Sequence, residues 1–333
     1  MSESMKAVIA EHIDAPLKSV LLTIPTPKPG EVRVRVAASG VNPLDLKIRA
    51  GQAPHAKHPL PAVLGMDMAG IVDSVGSEVD QFKQGDRVFG LTGGIGGHQG
   101  ALAEYQVVDA ALLAKVPESM SLREAASIPL IFTTAWEGIV DRANVSEGQS
   151  VLVHGGAGGV GQMAVQIAKA YGAEVYATGK AQDAETIRNL GATPIDFERT
   201  SVEEYLNQYT GGAGFDIVYD TVGGTVLDSA FESVKNYTGH VVSCLGWGTH
   251  SLAPLSFRGA TYSGVFTLMP LQTGKARAHH GHIMQQASKL VENSQLRVIQ
   301  DPNKFDLSQV NEAHGHVMAG RAKGKVVITI ADI

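Results

Sequence analysis

Cysteine is nearly missing: Cys244 is the only one in 333 residues. No intramolecular disulfide can form, so nothing in the sulfur chemistry points to an oxidising compartment. Aromatic residues make up only 6% of the chain and charged residues 18%. Long apolar runs are missing too, since none approaches the roughly 18 to 20 residues that span a bilayer. Met1 to Lys6 is polar and lacks the basic-then-apolar pattern of a secretory leader. Nor is there an excess of basic residues, because 27 Lys and Arg stand against 33 Asp and Glu, a formal charge of −6. That balance supplies neither the basic face of a nucleic-acid binder nor a polybasic membrane anchor. The expectation is a soluble, cytoplasmic protein without nucleic-acid or membrane partners.

Glycine is abundant. There are 38, gathered in Gly90 to Gly100, Gly155 to Gly161 and Gly211 to Gly214. Glycine serves where backbone turns tightly or approaches a ligand closely. The first third of the chain reads as strands: Val32-Arg-Val-Arg-Val36 alternates with period two, and Ala69–Asp73, Arg87–Phe89 and Tyr105–Val108 are similar short runs. From near Ser121 the pattern becomes helical, at Leu122–Ala126 and Thr133–Val140. Strands and helices then alternate from Ser150–His154 to His240–Leu245, the signature of a parallel, doubly wound sheet. A helical pattern over Gly274–Glu292, another over Leu307–Met318 and a terminal strand Lys325–Ile330 cannot bury their own faces. They are expected to rejoin the first domain, which gives an α/β protein with a β-rich domain at 1–122 and 270–333 around a Rossmann domain at 123–269.

Val151-Leu-Val-His-Gly-Gly-Ala-Gly-Gly-Val-Gly161 contains G-x-G-x-x-G at Gly156, Gly158 and Gly161. An apolar strand precedes it, an Ala-rich helix follows, and Glu174–Thr178 closes the βαβ unit. Gly156 permits the tight turn, Gly158 admits a pyrophosphate, and Gly161 lets helix pack on strand. The free amides at the helix start, on Gly159, Val160 and Gly161, then face the diphosphate. The second strand ends in Thr178-Gly179-Lys180, without the acidic residue that holds an unphosphorylated ribose. A lysine and a small hydroxyl suit a 2′-phosphate, so NADPH is expected over NADH; the alternative is that Lys180 is a solvated loop charge.

The ordered series Ser39-Gly-Val-Asn-Pro-Leu-Asp45, Lys47–Gly51, Gly85–Phe89, Gly100–Tyr105, Gly155–Gly161, Asp220-Thr-Val-Gly223 and Gly324–Val327 resembles the quinone oxidoreductase branch of the medium-chain dehydrogenase/reductase superfamily. The resemblance implies a GroES-like catalytic domain plus a Rossmann domain, with the active site in the cleft between them. Zinc-dependent members carry a Cys near position 42 and a His near 66, where this chain has Asn42 and Met66. No zinc is therefore expected, and a local group at His279, His280 and His282 is read as a helix surface. Without a Lewis acid, the chemistry implied is hydride transfer from NADPH to a quinone or an α,β-unsaturated carbonyl, with donors stabilising the developing oxyanion. The alternative function is a cofactor-binding protein with little turnover.

Several residues gain candidate roles. The amide of Asn42 reads either as a ligand to ribose, nicotinamide or substrate carbonyl, or as an Asn-Pro turn. Asp45 and Lys47 lie on the same segment, and Lys47 reads as a donor to cofactor or oxyanion, or as a surface lysine. Asp67 is expected in a structural ion pair. The resemblance implies Thr133 beside the cofactor, with helix capping as the alternative, and Leu245, Gly246 and Phe266 flanking the nicotinamide. It also implies Lys325 near the cofactor phosphates, or else as a plain strand residue. Gly93-Gly-Ile-Gly-Gly-His98 is the most flexible loop by composition. The run Tyr262–Leu268 suggests an exposed edge strand, through which a homodimer is expected.

Overall fold

The computed structural model describes residues 3–333, which divide into two compact units, 3–130 with 268–333 and 131–267. The first boundary lies eight residues beyond the expected 122. The helix Leu122–Ala125 buries Leu122 and Ala125, and Arg123 Nη1 donates to the carbonyl of Val327, 204 residues away. That helix therefore belongs with the strands of the first unit.

The first unit is β-rich. Glu31–Gly40 pairs antiparallel with Asp67–Val75, Tyr105–Asp109 and Val327–Thr329, and the sheet continues through Arg87–Leu91 to Leu113–Lys115. Val32, Val34 and Val36 are fully buried while Arg33 and Arg35 point away, which is why this stretch pleats with period two. A smaller sheet joins Lys18–Thr23, Ser4–Ala10 and Ala62–Val63. The C-terminal segment packs here: the helix Arg277–Glu292 buries His280, Ile283, Met284 and Ala287, and its Ser288 donates to the carbonyl of Lys115.

Two expectations change in this unit. A short helix, Pro43–Arg49, follows Asn42 where only a site segment was expected. The glycine-rich loop is anchored instead of loose. Ile95 is fully buried, Gly96 N–H donates to the carbonyl of Ala56, and His98 Nε2 lies 3.0 Å from both the carbonyl of Leu271 and Nη2 of Arg277.

The second unit carries a six-stranded parallel sheet in the order Thr193–Asp196, Glu174–Gly179, Ser150–His154, Ile217–Asp220, His240–Ser243, Thr261–Gly264. The strands are short and apolar because helices cover both faces. One face packs Leu152, Val218 and Val241 against Tyr205, Leu227, Phe231 and Leu255. Thr261–Gly264 lies at the sheet edge, as its pattern suggests. The helix expected at Thr133–Val140 begins earlier, at Pro129, and continues beyond Trp136 as a π-helical turn, Glu137–Arg142. Proline suits a first helical turn, and a Cβ on Gly138 would meet the Tyr219 ring at 2.6 Å. Among the described residues, no helix is long and apolar enough to cross a membrane.

Candidate functional site

Strand Ser150–His154 ends in the glycine loop, and helix Gly159–Ala170 begins directly after it. The loop is held by backbone and one side chain: Gly155 N–H donates to Thr178 Oγ1 (3.1 Å) and Gly156 N–H to the Thr178 carbonyl (2.9 Å). A Cβ on Gly156 would stand 2.4 Å from that of Ala177, and one on Gly161 would stand 2.1 Å from the carbonyl oxygen of Gly155. Both glycines are therefore demanded by close approach. Gly158 and Gly159 are exposed, and no side chain caps the helix. The amides of Gly159, Val160 and Gly161 belong to the first turn, where no intrahelical acceptor exists, and the helix dipole is positive there. An uncapped helix start whose first glycines are exposed fits a diphosphate.

The end of the neighbouring strand differs from expectation in one respect. Thr178 is buried, and its hydroxyl is turned into the glycine loop as the acceptor for Gly155, so it is not displayed to a ligand. Gly179 is buried as well, since a Cβ there would meet Ile187 at 2.7 Å. Only Lys180 is exposed. Its ammonium stands 3.5 Å from Glu198, and its N–H donates to Asp183. The sequence reading missed Glu198, which lies just past the adjacent parallel strand whose Asp196 is in register with Gly179.

Elsewhere in this unit, Thr133 is fully buried and, among the described residues, its hydroxyl has no partner. An orphaned hydroxyl of this kind fits a polar group of a bound ligand better than a helix cap. Leu245 is half-buried and Gly246 exposed, and the Phe266 ring meets Trp247 edge-on at 6.3 Å.

In the first unit Asn42, Asp45, Asp67 and Lys325 form one buried cluster. Asn42 Nδ2 donates to Asp67 Oδ2 at 2.9 Å, while Lys325 donates to Asn42 Oδ1 and, at 2.9 Å, to the same carboxylate oxygen. The other oxygen of Asp67 accepts the N–H of Leu130 at 2.7 Å. Asp45 accepts the N–H groups of Asn42 (2.9 Å) and Gly65 (3.2 Å). Burial pushes the Asp45 carboxyl up to about 7, with Asp67 pushing the same way, against the pull of those amides and of Lys325.

This cluster bears on two readings. The Asn42 amide is fully buried and used at both ends by neighbouring side chains, so it is not open to ribose or carbonyl as it stands. Lys325 is only 6% exposed and is the cation of the expected Asp67 ion pair, so it does not present a free charge to phosphate. Lys47 alone of the three catalytic candidates is exposed, on the helix Pro43–Arg49. Met66 is fully buried, and among the described residues no group of three His, Cys, Asp or Glu side chains is placed to hold a metal.

Residues 28–118 match the alcohol dehydrogenase GroES-like domain, and residues 190–328 match the zinc-binding dehydrogenase domain. The NADPH-dependent alkenal/one oxidoreductase of Arabidopsis thaliana is 34% identical over 92% of this chain and 74% of its own length. This chain belongs to the quinone oxidoreductase branch of the medium-chain dehydrogenase/reductase superfamily. Similar proteins of known structure superpose over nearly all of the chain. An alcohol dehydrogenase superfamily protein from Novosphingobium aromaticivorans is 53% identical with a TM-score of 0.96, covering 98% of this chain and 100% of that one. The quinone oxidoreductase of Coxiella burnetii is 29% identical with a TM-score of 0.82, covering 99% and 100%. The protein is thus an oxidoreductase built from a GroES-like domain and a Rossmann domain.

Proposed function

We propose that this oxidoreductase reduces quinones or α,β-unsaturated carbonyls with NADPH in preference to NADH, and does so without zinc. The observation that carries the reading is the uncapped helix start at Gly158–Gly161, followed on the next strand by Lys180 as the only exposed side chain of Thr178-Gly179-Lys180. When bound, the nicotinamide supplies a hydride. The chain's own residues do the rest.

The amides of Gly159, Val160 and Gly161 hold the diphosphate, while Gly156 and Gly158 keep its approach open. Lys180 neutralises the 2′-phosphate. The hydroxyl of Thr133 and the surface of Leu245, Gly246 and Phe266 orient the nicotinamide. In the first unit, Asp45 and Asn42 build the start of the helix that carries Lys47, and Lys47 offers an ammonium donor to the developing oxyanion. Positions 42 and 66 bear a committed amide and a buried thioether, a donor set unsuited to tetrahedral zinc. The relative named for alkenals and enones supports the substrate class. The reading includes a cytoplasmic homodimer joined through the edge strand Thr261–Gly264.

The test is oxidation of NADPH by the metal-stripped protein against a panel of quinones and enones, with NADH in parallel. Turnover restricted to NADPH is expected. Tight NADPH binding without turnover on any acceptor would instead make this a binding protein.

A further inference from the structure

The order of the six-stranded sheet reverses between Ser150–His154 and Ile217–Asp220. From the first strand the chain works outward through Glu174–Gly179 and Thr193–Asp196, and from the second through His240–Ser243 and Thr261–Gly264. Ligands of doubly wound sheets bind outside the carboxyl ends of the strands at such a switch point. The glycine loop follows one of these strands, and the turn Thr221–Gly224 follows the other.

Close backbone packing and the Thr178 hydroxyl shape the glycine loop, whereas a buried carboxylate shapes the turn. Asp220 is fully buried. Its Oδ1 accepts the N–H groups of Val222 (3.0 Å) and Gly223 (2.9 Å), and its Oδ2 accepts the hydroxyl of Ser243 (2.7 Å). Ser243 Oγ in turn accepts the N–H of Leu245 at 3.0 Å, which fixes the turn after the next strand. Thr221 Oγ1 donates to the carbonyl of His154 at 2.6 Å, tying the same turn to the strand that enters the glycine loop. Gly223 has φ +82°, and a Cβ on it would lie 2.7 Å from the carbonyl oxygen of Leu245, so the two turns are in direct contact. Val222 is half exposed and leans over Gly155, where a Cβ would come within 3.0 Å of its Cγ2. One carboxylate thus sets the ends of two strands and is linked to a third.

A carboxylate is suited to this place and an amide is not. Every group aimed at Asp220 is a donor, and an amide would set its own NH2 against some of them. Among the described residues no lysine or arginine pairs with it. His154, its partner across the ladder, stays neutral, because burial pushes that imidazole down to about 4 against the pull of Asp220. The carboxylate is satisfied by short-range donors of the turns themselves, which is the arrangement of a device that fixes backbone.

We propose that Asp220 is a positioning residue for the nicotinamide dinucleotide, acting through Ser243 and the backbone of 221–224 and 245–246 to hold the turns beside the glycine loop. The inference rests on the dinucleotide reading of the previous subsection. It is tested on the full chain with Asp220→Asn, Ser243→Ala and, as a control, Tyr205→Phe, which removes a buried hydrogen bond to Ser233 within the same unit but away from these turns. The readouts are the NADPH dissociation constant, the melting temperature and amide hydrogen exchange at Val222, Gly223 and Leu245.

Asp220→Asn is expected to weaken NADPH binding about tenfold or more and Ser243→Ala about threefold, with faster exchange at the turn amides. Tyr205→Phe should lower the melting temperature and leave the dissociation constant unchanged. A folded Asp220→Asn or Ser243→Ala protein that melts earlier yet binds NADPH as the wild type does would overturn the proposal. Should Asp220→Asn fail to fold, Ser243→Ala and Thr221→Val decide the matter, because they cut the same network at its two ends. Wild-type protein that binds no NADPH at all would overturn the dinucleotide reading itself, a result distinct from either.

Discussion

In the first unit Asn42, Asp67 and Lys325 meet side chain to side chain, while in the second Asp220 is met chiefly by backbone N–H groups. Both networks are fully buried, but they leave different things free. In the first, each polar atom is taken by another, so the cluster is closed and stabilises the fold. In the second, the carboxylate satisfies the turns of its own strand ends, and the helix start that follows the neighbouring strand has no side-chain cap. Burial alone therefore does not mark a site. What marks it is whether the donors that a helix start must leave unpaired are capped by the chain.

The largest effect is expected where that openness depends on close packing. Gly161→Ala sets a methyl group 2.1 Å from a backbone oxygen, so the glycine loop must open. NADPH binding should weaken on the order of a hundredfold or more by titration calorimetry. Gly158→Ala is the companion, because its nearest neighbour lies at 3.2 Å. It should melt close to wild type and still bind less tightly, which separates the room needed by the ligand from the room needed by the fold.

Lys325→Met attacks the closed network. Removing one partner of a buried pair leaves Asp67 uncompensated, and unfolding in urea should show a loss of about 3–5 kcal/mol. NADPH affinity of the folded variant should stay within about twofold of wild type, since a charge not offered to phosphate contributes little to binding it. A large loss of affinity at unchanged stability would reverse the assignment of Lys325 from pair to phosphate ligand.

The two networks and the helix Val310–Met318, which buries His314, also contain neutral-leaning groups of opposite sign. The Asp45 carboxyl, pushed up by burial, binds its proton more tightly in the folded chain than in the unfolded one. Its contribution is complete below the ordinary carboxylate value of 3.8 and is lost as pH rises through about 7. His154 and His314 are pushed down by burial to about 4, so the unfolded chain takes up their protons first. Their contribution is lost as pH falls from 6.5 towards 4. Relative to wild type, Asp45→Asn should therefore gain stability steadily as pH rises across the 3.8-to-7 window, and His154→Gln should gain only as pH falls below 6.5. Urea midpoints measured across this range check both slopes, and parallel curves for variant and wild type would remove the titrations from these sites.

Much of this is legible in the sequence, and for a reason that differs between the units. The parallel sheet announces itself by local periodicity, and the glycine loop by spacing within eleven residues. The closed cluster joins Lys325 to Asn42 across 283 positions, a distance over which no local pattern speaks. Thr178 reads as a display residue because the strand end is where ligands sit, but strand alternation turns its hydroxyl inward, to the loop. Gly93 to His98 reads as loose from composition, whereas glycine here lets the chain pack tightly around Ile95. Asp220 is visible only as part of a matching string, because two of its three partners are backbone N–H groups that any residue supplies and the third, Ser243, is 23 positions away.

The smallest expected effect concerns the exposed pair Lys180 and Glu198 at the end of the neighbouring strand. An exposed pair at 3.5 Å contributes about 0–1 kcal/mol, so it is easily exchanged for a better anion. A 2′-phosphate brings nearly two charges to Lys180, but it must also approach the Glu198 carboxylate that already stands there. Lys180→Ala should weaken NADPH binding about tenfold and leave NADH unchanged, while Glu198→Gln should tighten NADPH about two- to threefold by removing the competing charge. The effect of Glu198→Gln should shrink as salt is raised, because both side chains are solvated. If Glu198→Gln leaves both cofactors untouched while Lys180→Ala acts, Lys180 turns from Glu198 to the ligand without cost. If neither variant moves the ratio of NADPH to NADH affinity, the preference does not come from this strand end, and the carboxylates of Asp183 and Asp196 around Gly179 become the next groups to change.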